Sequence, residues 1–384
     1  MQSKNHELFK YPEVGVPFLW PFAFFLGLEE AELEILRENI KFLKEVEKTQ
    51  VERPKPEWAT KNKVILDLHT MNLRDFSTAN NGIYTLIIPP YAGHTSVIAD
   101  FHEGQSLVET LLENGIKRLC ATEWKSATQA MKDYDIDMYL RELNTCVDDL
   151  GGVVNLAGLC QGGWLATMYA ARFPQKVNTL VLAGAPIDTN AGRGDIKKYA
   201  HTFSMEFCEE LVALGGGVLK GEFMLWGFKN MHPEKQYIEK FVDLYEHIND
   251  TKYVKRFETF EKWYEYTIDL PGKWYLQVIK ELFKENRLFK GKFVGLGKRL
   301  DLRNIKCPVY LLAGEKDDIT PKDQVFNAEK RLGTAKSKIV KDMAAGGHIG
   351  LFMGSKPLRE NWPKIAKWIR TYSGRRGYVK KDVE

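Results

Sequence analysis

The spacing of apolar and polar positions changes character twice along this chain. Up to about residue 188, short apolar runs alternate with stretches of helical periodicity. The runs at 64–68, 83–88, 116–122, 153–159 and 177–183 predict strands; the stretches at 106–113, 137–150 and 165–172 predict helices. Strands and helices in alternation imply a mostly parallel sheet covered on both faces. The alternation vanishes between 189 and 300, where Phe223, Trp226, Phe241, Trp263 and Trp274 sit in helical, aromatic-rich sequence. This predicts a helical cap or lid inserted between two core strands. The alternation returns after Asp301, with strands at 308–313 and 338–340, a helix at 322–332, and a closing helix at 363–372 that carries Pro363 in its first turn.

Ahead of the core, Leu33, Leu36, Ile40, Leu43 and Val46 recur at helical spacing within 29–49, and Pro54 and Pro56 mark a linker. The longest apolar stretch, 14–28, is too short to span a bilayer and contains Pro17 and Pro21. Two readings stay open for it: an arm packed on the fold, or an aromatic patch that docks on a lipid or polymer-granule surface. The expected organisation is an N-terminal arm and helix over 1–60, an α/β core over 61–188 and 301–373, a cap over 189–300 and a basic tail over 374–384.

The strand predicted at 153–159 runs into Gly158-Leu159-Cys160-Gln161-Gly162-Gly163 and then directly into helical sequence. Strand, sharp turn and helix around Gly-x-Cys-x-Gly is the form of a nucleophile elbow with Cys at its centre. The flanking glycines are a steric requirement, because strand and helix approach closely there. Free N–H groups at the helix start favour the thiolate. Two later stretches join it. The strand at 308–313 leads to Gly314-Glu315-Lys316-Asp317-Asp318, and His348 follows in Ala345-Gly346-Gly347-His348-Ile349-Gly350. Nucleophile, acid and histidine in that order match the α/β-hydrolase triad. Asp317 is the candidate acid on its spacing from Gly314, with Asp318 as the alternative. The loop after strand 83–88, with Tyr91 or Ala92, and Gln161 after the nucleophile would supply the oxyanion-hole N–H groups. His94, Asp318 and Trp164 are candidate site-lining residues.

Composition narrows the class. A net charge of +4 over 384 residues argues against a nucleic-acid binder and leaves room for anionic thioester substrates. Cys120, Cys146, Cys160, Cys208 and Cys307 are scattered, which suits a reducing cytoplasm and gives neither a disulfide framework nor a zinc site. The opening residues are polar, so no signal peptide is expected.

With these motifs in view, the chain resembles the polyhydroxyalkanoate synthases, most of all the short ones that work with a partner subunit. It also resembles the intracellular polyhydroxybutyrate depolymerases. The resemblance covers roughly 60–372 and rests on the Cys160 elbow, Ala185-Pro186-Ile187-Asp188, the segment from Asp301 to Val309, Asp317, and the His348 loop. It implies an α/β-hydrolase fold with a lid, a catalytic Cys160, Asp317 and His348, no cofactor and no metal, and acyl transfer through a cysteine thioester. The implied substrate is a hydroxyacyl-coenzyme A, and the implied partners are a second copy or another subunit, with location in the cytoplasm or at a polymer granule. Asp318 stands where synthases usually carry His, a feature shared with depolymerases, whereas Gly162-Gly163 follows the synthase pattern. The readings are therefore a synthase-like acyltransferase, a depolymerase, esterase or thioesterase with the same triad, or a non-catalytic granule-binding protein.

Overall fold

Eight strands form the central sheet of the computed structural model, which describes residues 41–42, 44–46, 54–232 and 234–373. In chain order they are β1 Lys63–Asp67, β2 Met71–Asp75, β3 Tyr84–Ile88, β4 Leu119–Trp124, β5 Val154–Leu159, β6 Val177–Ala183, β7 Val309–Gly314 and β8 Ile339–Ala344. The order across the sheet is β1-β2-β4-β3-β5-β6-β7-β8. Pairing is antiparallel at β1–β2 and β2–β4 and parallel everywhere else. The central strands β5, β6 and β7 are buried along their whole length, as strands covered on both faces must be.

Successive residues of these strands feed two different cores. Leu156, Leu180, Leu182 and Leu311 point into one apolar cluster, and Ala157, Leu159, Val181 and Leu312 into the other. That is the two-residue alternation of a pleated strand. Helices α1 (Leu107–Glu113), α2 (Ile136–Asp149) and α3 (Gln161–Arg172) follow the strands, and Ser106 and Asp135 cap α1 and α2 through bonds to Glu109 N and Met138 N.

Between β6 and β7 the chain leaves the sheet for a run of helices. Among them are α4 (Asp195–Thr202), α5 (Met205–Leu214), α6 (Gly221–Lys229), α7 (Lys240–Glu246) and α8 (Thr251–Glu265). Two small antiparallel pairings, 218–219 with 270–271 and 294–295 with 298–299, interrupt the helical pattern read from the sequence. The two ends of the excursion are tied to the core. Asp188 accepts from Asn286 Nδ2 and Asn327 Nδ2, both at 2.7 Å, which binds the cap's last helical segment to the region after β7. Lys229–Glu265 and Lys240–Glu261 form nearly buried ion pairs within the cap, at 2.5 and 2.7 Å.

The apolar arm 14–28, most of the helix expected at 29–49 and the basic tail lie outside the described residues. Residues 41–42 and 44–46 are helical, and Phe42 packs edge-on against Phe241 and Tyr245 of α7. Among the described residues no helix is long and apolar enough to cross a membrane.

Candidate active site

Cys160 stands between β5 and α3 with φ 50° and ψ −119°, a conformation that a non-glycine residue adopts only when its surroundings impose it. Its amide donates to Ala183 O at 2.8 Å, anchoring the turn to the end of β6. The close approach of strand and helix is visible in the flanking glycines. A Cβ on Gly162 would lie 1.9 Å from Ile88 O, and one on Gly158 would lie 2.5 Å from Gly163 Cα. Backbone atoms cannot give way by that much, so only glycine fits at either place.

Asp317 lies in the loop after β7 and His348 in the loop after β8, the neighbouring strand. His348 Nδ1 donates to Asp317 Oδ2 at 2.7 Å, and Asp317 Oδ1 accepts from the amides of Ile319 and Thr320 at 3.1 and 2.7 Å. Both carboxylate oxygens are thus satisfied and the side chain is fixed. Burial alone disfavours the imidazolium of His348. The Asp317 carboxylate, with the Cys160 thiol beside the ring, more than reverses this and holds the His348 pKa well above its usual value. Nε2, the ring nitrogen away from Asp317, is buried with no hydrogen-bond partner. Cys160 beside the ring is one cause of that raised basicity, which suits Nε2 to take the thiol proton.

Cys160, Asp317 and His348 are 9%, 7% and 8% exposed. Cys160 shares its apolar cluster with Val97, Ile98, Leu351 and, from the cap, Leu225, Trp263 and Tyr264. The amides of Tyr91 and Ala92 make no backbone hydrogen bond among the described residues, and Gln161 opens α3, where the first amides have no acceptor within the helix; such groups are available to an oxyanion. The Tyr91 side chain turns away, donating to Lys125 O or Asp269 O at 3.0 and 3.2 Å.

The three expected lining residues each have partners of their own. Trp164 is buried in the cluster on the opposite face of the sheet, against Trp274 with ring centres 5.9 Å apart, because α3 turns it away from the Cys160 side. Asp318 points to His232, whose Nε2 lies 2.8 Å from Oδ2, so the carboxylate beside Asp317 serves a cap contact. His94 stacks on Trp263 and Tyr264, and its Nε2 is 3.0 Å from Tyr264 O. Burial pushes its pKa down to about 4. It joins core to cap by stacking on two rings that share the apolar cluster of Cys160. His232 was not singled out from the sequence. Its partner is brought to it only by the fold.

The family model described as "Protein of unknown function (DUF3141)" matches residues 73–371. Among curated proteins, the poly(3-hydroxyalkanoate) polymerase subunit PhaC of Allochromatium vinosum is 30% identical over 75% of this chain and 79% of its own length. The chain belongs to the family of that model and to the poly(3-hydroxyalkanoate) polymerases. A second polymerase subunit, from Haloferax mediterranei, is 28% identical over 75% of this chain, which spans only 57% of that longer protein. Among solved structures, the monoacylglycerol lipase of Paleococcus ferrophilus superposes with a TM-score of 0.52 at 17% identity, covering 79% of this chain and 99% of the lipase. That likeness establishes the α/β-hydrolase fold, as the expected fold class had it.

Proposed function

We propose that this polymerase-family chain is a cysteine acyltransferase that lengthens a polyester from 3-hydroxyacyl-coenzyme A. The observation that carries the reading is the buried His348, bonded to Asp317 through Nδ1 and made more basic by Asp317 and by Cys160 beside its ring. His348 Nε2 takes the proton of Cys160, and the thiolate attacks the thioester carbonyl carbon. The oxyanion is held by the amide of Gln161 and that of Tyr91 or Ala92, each donor worth about 3–4 kcal/mol. As the C–S bond to coenzyme A breaks, the leaving thiolate recovers the proton from His348, and a Cys160 thioester remains. The hydroxyl of a second hydroxyacyl group then gives its proton to His348 and attacks that thioester. A C–O ester forms, the C–S bond breaks, and Cys160 is regenerated. Asp317 stabilises the imidazolium in both halves.

If water replaced the hydroxyl, the same residues would hydrolyse an ester. The burial of Cys160 in a cluster that includes Leu225, Trp263 and Tyr264 of the cap supports transfer, since water is the competitor that a closed cap excludes. In this reading the cap over 189–300 works as the lid. The word subunit in the relatives' names supports a partner chain or a second copy, and a polyester product supports location in the cytoplasm at a polymer granule. Intact-protein mass spectrometry after mixing with 3-hydroxybutyryl-coenzyme A tests the proposal. We expect a mass gain of one hydroxyacyl group mapped to Cys160. Release of coenzyme A no faster than from Cys160→Ala would remove it.

A further inference from the structure

Away from the reacting atoms, three side chains from three separate elements converge where the cap meets the core. Asp195 is the first residue of α4, His232 follows α6, and Asp318 lies in the loop after β7, next to the triad acid. His232 Nε2 lies 2.8 Å from Asp318 Oδ2 and 3.8 Å from Asp195 Oδ2. One ligand atom from each residue falls within 4.8 Å of the others. The backbone holds the two carboxylates side by side, because Asp195 N donates to Asp318 O at 2.9 Å. Like charges that close repel and call for a cation between them. Among the described residues, neither carboxylate has a Lys or Arg within ion-pair distance; His232 is the one basic group that reaches them.

We propose that Asp195, His232 and Asp318 form a divalent-cation site that clasps the cap to the turn carrying Asp317. Metal–ligand bonds of about 2.0–2.2 Å put neighbouring ligand atoms ~3–4 Å apart, the scale already present here. One imidazole nitrogen with two carboxylate oxygens suits zinc, cobalt or manganese better than calcium, which takes oxygen ligands alone. The side chains are 36%, 37% and 49% exposed, so water completes the coordination shell and the ion enters from solvent. The ion touches none of the reacting atoms. Its role is positional: two ligands belong to the cap, and the third to the loop whose next residue back holds His348. The inference does not depend on the proposed acyl transfer.

The test is a Co2+ titration of the full chain after chelator treatment, followed by calorimetry and visible absorption. We expect one equivalent bound, with d–d bands and no thiolate-to-metal charge transfer. His232→Ala, Asp195→Asn and Asp318→Asn should each weaken binding by ~10-fold or more, since losing a direct ligand costs at least as much as losing an outer-shell partner. Co2+ should raise the melting temperature of the wild type and leave that of the variants unmoved. Circular dichroism checks that each variant is folded, and the near-isosteric Asp318→Asn serves if His232→Ala is not. Absence of binding at millimolar Co2+, a thiolate charge-transfer band, or undiminished affinity in folded variants would overturn the proposal.

Discussion

Replacing Asp317 with Asn asks which acid serves His348. Asp317 uses Oδ1 for the amides of Ile319 and Thr320 and Oδ2 for His348 Nδ1. An Asn side chain has a single acceptor oxygen. The two backbone donors keep that oxygen at the Oδ1 position, so the NH2 group turns to the imidazole. There it donates to Nδ1, and the ring proton moves to Nε2, the nitrogen the mechanism needs empty. Two losses combine. The charge-assisted bond is worth about 1.5–3 kcal/mol, or ~10–150-fold in rate. The wrong tautomer adds to this, and the equivalent change in a serine triad lowers kcat about 10^4-fold. We expect acylation of Cys160 by 3-hydroxybutyryl-coenzyme A to slow ~10^3–10^4-fold. Rapid-quench mass spectrometry reads the rate, and thermal melting reports the fold. Asp318→Asn leaves the Asp317–His348 bond in place and should have a far smaller effect. The reasoning is refuted by an Asp317→Asn enzyme within ~10-fold of wild type, or by an equally deep defect in Asp318→Asn.

Other expectations follow from the same geometry. Cys160→Ala should melt like the wild type and form no acyl adduct; an adduct of unchanged yield would point to another nucleophile. Gly162→Ala, with its Cβ 1.9 Å from Ile88 O, should destabilise by ~3 kcal/mol or more in urea melts, and a near-neutral change would show that the elbow has room to move. His94 has its pKa depressed from 6.5 to about 4 by burial, so the folded state resists its protonation. Its contribution is fully present above pH 6.5 and is lost as pH falls toward 4, about 3 kcal/mol in all. His94→Gln should flatten the stability profile in that window, and a profile as steep as wild type would assign the acid sensitivity elsewhere. His348 has the opposite sign. Its raised pKa stabilises the fold below pH 6.5, and that share disappears as pH rises through the folded-state value. The stability gap between wild type and His348→Asn should therefore narrow as pH rises above 6.5.

Much of the site was legible because its parts are local. The Cys160 elbow is written in one stretch of sequence, since the steric demand on Gly158 and Gly162 arises within a few residues of the turn. The acid and histidine loops each follow a recognisable strand. What escaped depends on partners far along the chain. Strand β2 alternates buried Met71 and Leu73 with Asn72 and Arg74, but five residues on an antiparallel flank gave too short a pattern. Strand β4 was read as ending at Thr122, yet it continues through Glu123, whose carboxylate is met by Arg74 Nε at 2.8 Å and Asn72 Nδ2 at 2.9 Å. Strand β8 extends past its apolar start because Asp342 finds the Tyr310 hydroxyl and Asn361 Nδ2. Trp164 was misjudged for a different reason. Proximity to Cys160 in sequence says nothing of which face of the sheet a helix position reaches.

The spacing of Cys160, Asp317 and His348 is set by hydrogen-bonded register among β5, β6, β7 and β8, not by the length of chain between them. The excursion at 184–308 starts and finishes on adjacent strands, so the strand register that spaces the three side chains does not depend on its length. Closing a longer loop adds only a logarithmic entropy penalty, about 0.6 kcal/mol per doubling. A chimera that keeps this sheet and borrows another helical insert would keep the strand ends from which Cys160, Asp317 and His348 project while replacing what packs over them.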